Sequence, residues 1–402
     1  MDPISRRRFL IASGVTGGAA LVAGCAAVTW SQLHDSAAST PLAAGDPVLV
    51  VLTLYGGNDG LSTLIPYSDS AYHDSRPELA YEPNEVLHLD DELGLNRAMK
   101  GFAKLWQAEQ LAIVRGVGYP KPDHSHFRSM DIWQTASPSA PIRTGWIGRW
   151  LDATGDDPVR AVNLGSVLPP LAVGAKATAS ALTVGRARRL PAEVTAALVG
   201  LGRDDPSDGA TEAMVCAAFR AERKVAATFD SVLSGPQTAG SASDDLKAQL
   251  DMVAQCIKAG VPTKVYAVSL DGFDTHAGEK ATQQTLLTDL DVSLSGFLAD
   301  MATNPRGRGV TVLVYSEFGR RVPANASQGT DHGTAGLVFV AGVPVKGGFY
   351  GEQPSLTDLD HGDLKSNVDF RAVYGELVHR VLRADPHQVL DSVPGELGFI
   401  TV

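Results

Sequence analysis

The run Val265–His276, VYAVSLDGFDTH, constrains the fold more than any other stretch: an apolar segment with strand propensity stops abruptly in two aspartates, a glycine and a histidine. It reads as a buried strand whose end delivers polar side chains. In an open α/β sheet, ligands bind just past the carboxyl ends of the strands, because the apolar strands hold the loops above them rigidly. Four other segments share this design. Leu49–Leu54 leads to Gly57-Asn58-Asp59-Gly60, Leu111–Val117 to Asp123-His124-Ser125-His126, and Val310–Tyr315 to Ser316-Glu317-Phe318-Gly319, while Asp331-His332-Gly333 precedes Leu337–Ala341. One site fed from five places is the economical reading.

Between these strands the apolar residues take a helical period. Leu95, Met99, Phe102, Leu105 and Trp106 predict a helix before the second strand, Phe127–Thr135 another after it, and further helices follow at Thr144–Leu151, Thr211–Leu233, Leu246–Ile257, Glu279–Met301 and Val368–Leu382. Val159–Leu164 adds a strand. Tyr67–Asp91, rich in proline and acids without periodicity, reads as irregular. Alternating strands and helices imply an α/β fold of three layers: a largely parallel sheet with helices on both faces, its strands near 48–55, 111–117, 264–270 and 310–316 ending on one edge. A single domain over 47–402 is expected, with 169–240 as a candidate helical insertion.

The N-terminus carries an address. Ser5-Arg6-Arg7-Arg8-Phe9-Leu10 precedes the apolar, glycine-rich Ile11–Gly24, the pattern of a twin-arginine export signal and too short to span a bilayer. Val22-Ala23-Gly24-Cys25 resembles a lipobox, which would lipidate Cys25; cleavage after Ala43-Ala44 is the competing reading. Residues 25–46 read as a flexible tether. Cleavage before Cys25 removes three arginines and one aspartate and takes the formal charge from −11 to −13. With no dense basic run, nucleic acid is excluded as a partner, and membrane contact is confined to the lipid anchor. Cys216 and Cys256, the remaining cysteines, sit in apolar helical surroundings as small buried hydrophobes, with one disulfide as the alternative.

Taken together, GGNDG at Gly56–Gly60, HSHF at His124–Phe127, DGFDTH at Asp271–His276, SEFGR at Ser316–Arg320, DHGTA at Asp331–Ala335 and DFRAVY at Asp369–Tyr374 resemble the exported bacterial DUF1501 family, a domain of unknown function. That family is similar in turn to the alkaline phosphatase and sulfatase superfamily. The resemblance implies an alkaline phosphatase-like fold and a site with one or two divalent metal ions. It implies Asp59 as a ligand of one metal, Ser125 as nucleophile at a helix start, and Asp274, His276 and His332 as ligands of the other, with Asp271 in reserve. Glu317-Phe318 stands where the superfamily has an adjacent Asp-His pair, so Glu317 can bind metal and Phe318 cannot.

Carboxylates and imidazoles suit hard or borderline divalent ions, and two of them roughly 3.5–4 Å apart would clamp both oxygens of a transferring phosphoryl or sulfuryl group. Arg128, Arg143, Arg320 and Arg321 are candidates for the remaining oxygens of the substrate. The same residues have structural roles open to them: Asp59 as a turn residue, Ser125 and Asp123 as helix caps, His124 and His126 as ordinary surface or core histidines. Two functions therefore stand side by side. One is an exported metal-dependent hydrolase of anionic phosphate or sulfate esters. The other is a non-catalytic envelope protein that binds a surface polymer or a partner protein.

Overall fold

The computed structural model describes residues 36–182, apart from 38, 156, 166 and 167, and residues 246–401. The export signal, Cys25, Cys216 and the helix expected over 211–233 lie outside the described residues. The sheet is built from β1 (Val48–Leu54), β2 (Leu111–Gly118), β3 (Ala161–Leu164), β4 (Ser180–Leu182), β5 (Val265–Leu270), β6 (Val310–Ser316), β7 (Gly336–Ala341), β8 (Gly348–Tyr350) and β9 (Val368–Asp369). Their order is β8-β2-β7-β6-β1-β5-β3-β4, with β9 also on β2.

All neighbours run parallel except β7, which is antiparallel to both β2 and β6. Leu54 is level with Leu270 on one side and Ser316 on the other, so the central strands end on one edge. Successive side chains of a strand point to opposite faces, and the strands here are apolar on both. Val48, Val50, Leu52 and Leu54 of β1 pack with α1 (Lys100–Gln107), α4 (Leu246–Ala259) and α5 (Glu279–Thr303). Leu49 and Val51 face α2 (His126–Thr135), α3 (Trp146–Thr154) and α6 (Phe370–Glu376). The fold is thus three-layered α/β with a largely parallel sheet. No helix among the described residues is long and apolar enough to cross a membrane.

Four local expectations are corrected. Tyr67–Asp91 holds a short helix, Ser70–Ser75, and Val86–His88, one strand of a small sheet with Leu64–Ile65 and Gly94–Asn96, elements too short to show a period. The closing helix starts later: Val368–Asp369 pairs with β2, Asp369 caps α6, and Leu377–Val381 continues it with wider, π-helical turns. Of 169–240, read as a candidate helical insertion, only residues 169–182 are described, and they contribute β4, the edge strand of the main sheet; the rest lies outside the described residues. Residues 39–46, read as tether, pack on the domain, with Leu42 buried and its N–H donating to the Gly260 carbonyl. Cys256 is buried, and that burial pushes its thiol up to about 12.

Candidate metal centre

Three chain segments meet above the edge where β1, β5 and β6 end. The first is the loop after β5, pinned by the fully buried ring of Phe273, whose N–H donates to the Tyr55 carbonyl. Thr275 N–H returns to the Phe273 carbonyl and His276 N–H to that of Asp274, and these tight turns put Asp274 and His276 on one side. The loop passes so close to Gly56 that a Cβ there would lie 2.4 Å from the Asp274 nitrogen, and Gly56 has φ +115°. No other residue fits that position.

The second segment is the hairpin of Arg320–Ala324 with Thr330–His332, in which His332 lies opposite Arg320. The third is the start of α2. Asp123 accepts from the Ser125 N–H at 2.7 Å, Ser125 caps the helix by accepting from Arg128 N–H, and His126 is the first helical residue.

The imidazoles converge on one carboxylate oxygen. Asp274 Oδ1 lies 3.0 Å from His276 Nε2, 3.3 Å from His332 Nε2 and 3.4 Å from His126 Nε2, while His276 and His332 Nε2 are 2.9 Å apart. Ligands around a tetrahedral zinc-like ion with bonds near 2.0–2.1 Å sit about 3.3 Å from one another, so these spacings fit one ion. The donor chemistry fits as well. His126 Nδ1 bonds Glu317 Oε1 at 2.8 Å and His332 Nδ1 bonds the His124 carbonyl at 2.7 Å. An N–H donated there leaves each Nε2 lone pair facing inward, the arrangement usual behind metal-bound histidines. His126 Nε2 is buried and makes no hydrogen bond at all.

Electrostatics favour the ligand forms. Burial opposes ionisation of Asp274, but the hydrogen bond and charge of Arg320, helped by His276 and His332, bring it down to about 2. Partial burial, with the charge of Arg320, lowers His332 from its ordinary 6.5 even though its bond to the His124 carbonyl acts the other way. A carboxylate and a neutral imidazole are the forms that bind metal.

The expected residues do not all meet here. Asp274, His276 and His332 do, and His126 joins them. Glu317 stands one step back, its carboxylate accepting from Gly56 N–H, the Ser316 hydroxyl and His126. Asp59 lies apart, fully buried, with Oδ2 2.6 Å from Arg76 and Oδ1 capping the helical turn Gly60–Thr63. Ser125 is exposed at the α2 start, between the residue whose carbonyl holds His332 and the residue that offers Nε2. Asp271 and Arg143 are exposed, and Arg128 pairs with Asp131. Arg320 is buried and bonds four carbonyls plus Asp274, so it cannot reach a substrate. Arg321 pairs with Asp363 while remaining partly exposed. Sequence reasoning read His126 as an ordinary surface or core histidine; its signal was its place directly after the capping Ser125, on the edge where the strands end.

A family profile of DUF1501, described as a protein of unknown function, matches residues 46–396, and the chain belongs to that family. No curated protein matches the chain in sequence. Among solved structures it is similar to a protein in the alkaline phosphatase superfamily from Vibrio parahaemolyticus, at 8% identity and TM-score 0.38 over 78% of this chain and 64% of that one. It is also similar to a 2-O GAG sulfatase, at 10% identity and TM-score 0.36 over 75% of this chain and 65% of that one. A third is a lipoteichoic acid synthase from Listeria monocytogenes, at 9% identity and TM-score 0.35 over 84% and 80%. The chain spans just under two thirds of the length of the first two.

Proposed function

We propose that the protein is an exported, metal-dependent hydrolase of phosphate or sulfate esters at the cell envelope. The observation that carries this reading is the set His126, Asp274 and His332, whose ligand atoms all lie within 4.8 Å of one another, with His276 Nε2 close to Asp274 and His332 and with His126 Nε2 buried and without a hydrogen-bond partner. These four residues would hold a divalent ion, which supplies Lewis acidity toward an anionic ester oxygen. Ser125 Oγ is the nucleophile of this proposal. It forms the new bond to phosphorus or sulfur and releases its proton to solvent, while the ester oxygen leaves with the bonding pair and takes a proton from water. Water then frees the group from the serine. The first turn of α2, with its unpaired backbone N–H groups, favours a negative charge beside Ser125.

The test is a screen of aryl phosphates and aryl sulfates with and without added divalent metal, on the wild type and Ser125→Ala. Metal-dependent cleavage that Ser125→Ala abolishes supports the reading; full activity in that variant overturns the role of the serine. A second reading, a non-catalytic binder of a surface polymer or partner protein, is favoured by Phe318, whose ring lies 4.8 Å from that of His126 and 4.9 Å from that of His332. Metal content without turnover of any ester would select it.

Export through the twin-arginine pathway is part of the proposal. Replacing Arg6 and Arg7 by lysine should leave the precursor in the cytoplasm, and Cys25→Ala should release the protein from the membrane if that cysteine is lipidated.

A further inference from the structure

We infer that the centre is mononuclear: one divalent ion held by His126, Asp274, His276 and His332, with the buried guanidinium of Arg320 as the fixed second positive charge that holds Asp274 in place. The inference rests on the metal reading above and selects one ion over the two-ion alternative that the family resemblance left open. Each group expected to hold a second ion already has its partners. All of Asp59 is buried and its charge is matched by Arg76, which also bonds the Val322 and Arg321 carbonyls and so cannot swing away. Glu317 accepts three hydrogen bonds, from Gly56, Ser316 and His126.

The space next to Glu317 is filled rather than open. Phe318 is 3% exposed, and its ring lies so close to Gly57 that a Cβ there would be 2.2 Å from it. A benzene ring offers no lone pair to a cation.

Charge counting agrees. The carboxylates against the imidazoles are Asp274 and Glu317, with Asp331 3.7 Å from His276 Nδ1 on the exposed side, and the guanidinium among them is that of Arg320. The other acids nearby are engaged or in water: Asp331 is largely exposed, Asp59 is neutralised by Arg76, and Glu279 beside it is driven toward its neutral acid form by burial and by the Asp59 charge. Positive charge left unmatched in a partly buried site is strongly unfavourable.

Arg320 takes the second cation's place without leaving the protein. Its side chain is fully buried and reaches Asp274 Oδ1 at 2.7 Å while bonding the carbonyls of Gly56, Gly57, Phe273 and Thr330. It is a positioning residue, since it touches the ligand oxygen and not the substrate. Lysine keeps the charge but cannot make that fork of bonds.

Metal-free full-length protein titrated with Co(II) alone should saturate at one ion per chain and develop the visible absorption of a low-coordinate cobalt site. His126→Ala should lose that absorption. Arg320→Lys, checked for folding by circular dichroism, should keep a limit of one ion with affinity reduced about 10-fold or more, in the range for removing a residue that orients a ligand. Two ions per chain at saturation, or unchanged affinity in Arg320→Lys, overturns the inference. The ion count needs no variant, so a misfolded Arg320→Lys still leaves the decisive measurement. Two ions with ester cleavage sinks this inference and keeps the proposed function; one ion without cleavage does the reverse; none removes both.

Discussion

Two acid-bearing corners of the site edge, Asp274 with its histidines and Asp59 with Arg76 and Glu279, started from the same sequence signal and ended differently. Asp274 is half exposed and faces imidazole lone pairs, whereas Asp59 is wholly buried and faces a guanidinium. Thr330 joins them, bonding Glu279 through its hydroxyl at 2.5 Å and Arg320 through its carbonyl at 2.9 Å. The lesson is that a carboxylate at a strand end becomes a ligand only where the protein leaves its charge unbalanced. Where an arginine from elsewhere in the chain balances it, the same residue becomes framework.

The contrast is broken or sharpened first by Arg76→Leu. Removing one partner strands a buried charge, and the unfolding free energy should fall by about 3–5 kcal/mol in urea titrations. Asp274→Asn in the metal-free protein should change it by only about 1 kcal/mol, because that ion pair is half in water. The opposite ranking would mean that Asp274, not Asp59, is framework.

Ion affinity should respond the other way round. Glu317→Gln weakens the orienting bond to His126 and should lower Co(II) affinity roughly 10–100-fold. Removing a direct donor, in His332→Ala or Asp274→Asn, should lower it further still, as read by calorimetric titration. Arg321→Ala, on the rim, should leave it unaltered.

Asp274 and Glu279 should also respond to pH with opposite sign. Asp274 is lowered from 3.8 to about 2, so its stabilisation is present above 3.8 and lost as pH falls through that window. Glu279 is raised above 4.5 by burial and by Asp59, so its contribution is present below 4.5 and declines as pH rises toward the raised value. Glu279→Gln should therefore flatten the alkaline decline in urea midpoints while leaving the acid limb as it was. The smallest expected effect on stability is at the cap: Ser125→Ala should cost about 0.5–1 kcal/mol, because its bond to Arg128 N–H is long at 3.5 Å.

Much of this was readable in the chain. Apolar runs such as Val48–Leu54 and Val310–Ser316 are buried on both faces and could only be central strands, and Asp274, His276 and His332 sit where such strands and their neighbours end. The fate of Asp59 was not readable, because it depends on Arg76, which lies in a stretch without period and meets it through tertiary packing alone. His126 was hidden for a related reason: a histidine after a cap looks the same whether or not Glu317 stands behind it. The direction of β7 was equally silent, since a buried strand has the same composition whichever way it runs.

The antiparallel insertion of β7 bears on how the chain acquires its shape. β2 is encoded early, yet its sheet partners β7, β8 and β9 all come from residues 336–369. Until those residues emerge from the ribosome, Leu111–Gly118 is an apolar ribbon with both hydrogen-bonding edges open, the kind of surface that captures other unfinished chains. Assembly order therefore cannot follow synthesis order. A chain interrupted before Gly336 would hold most of its core residues and still leave both edges of that ribbon open to other chains until the last sixth arrives.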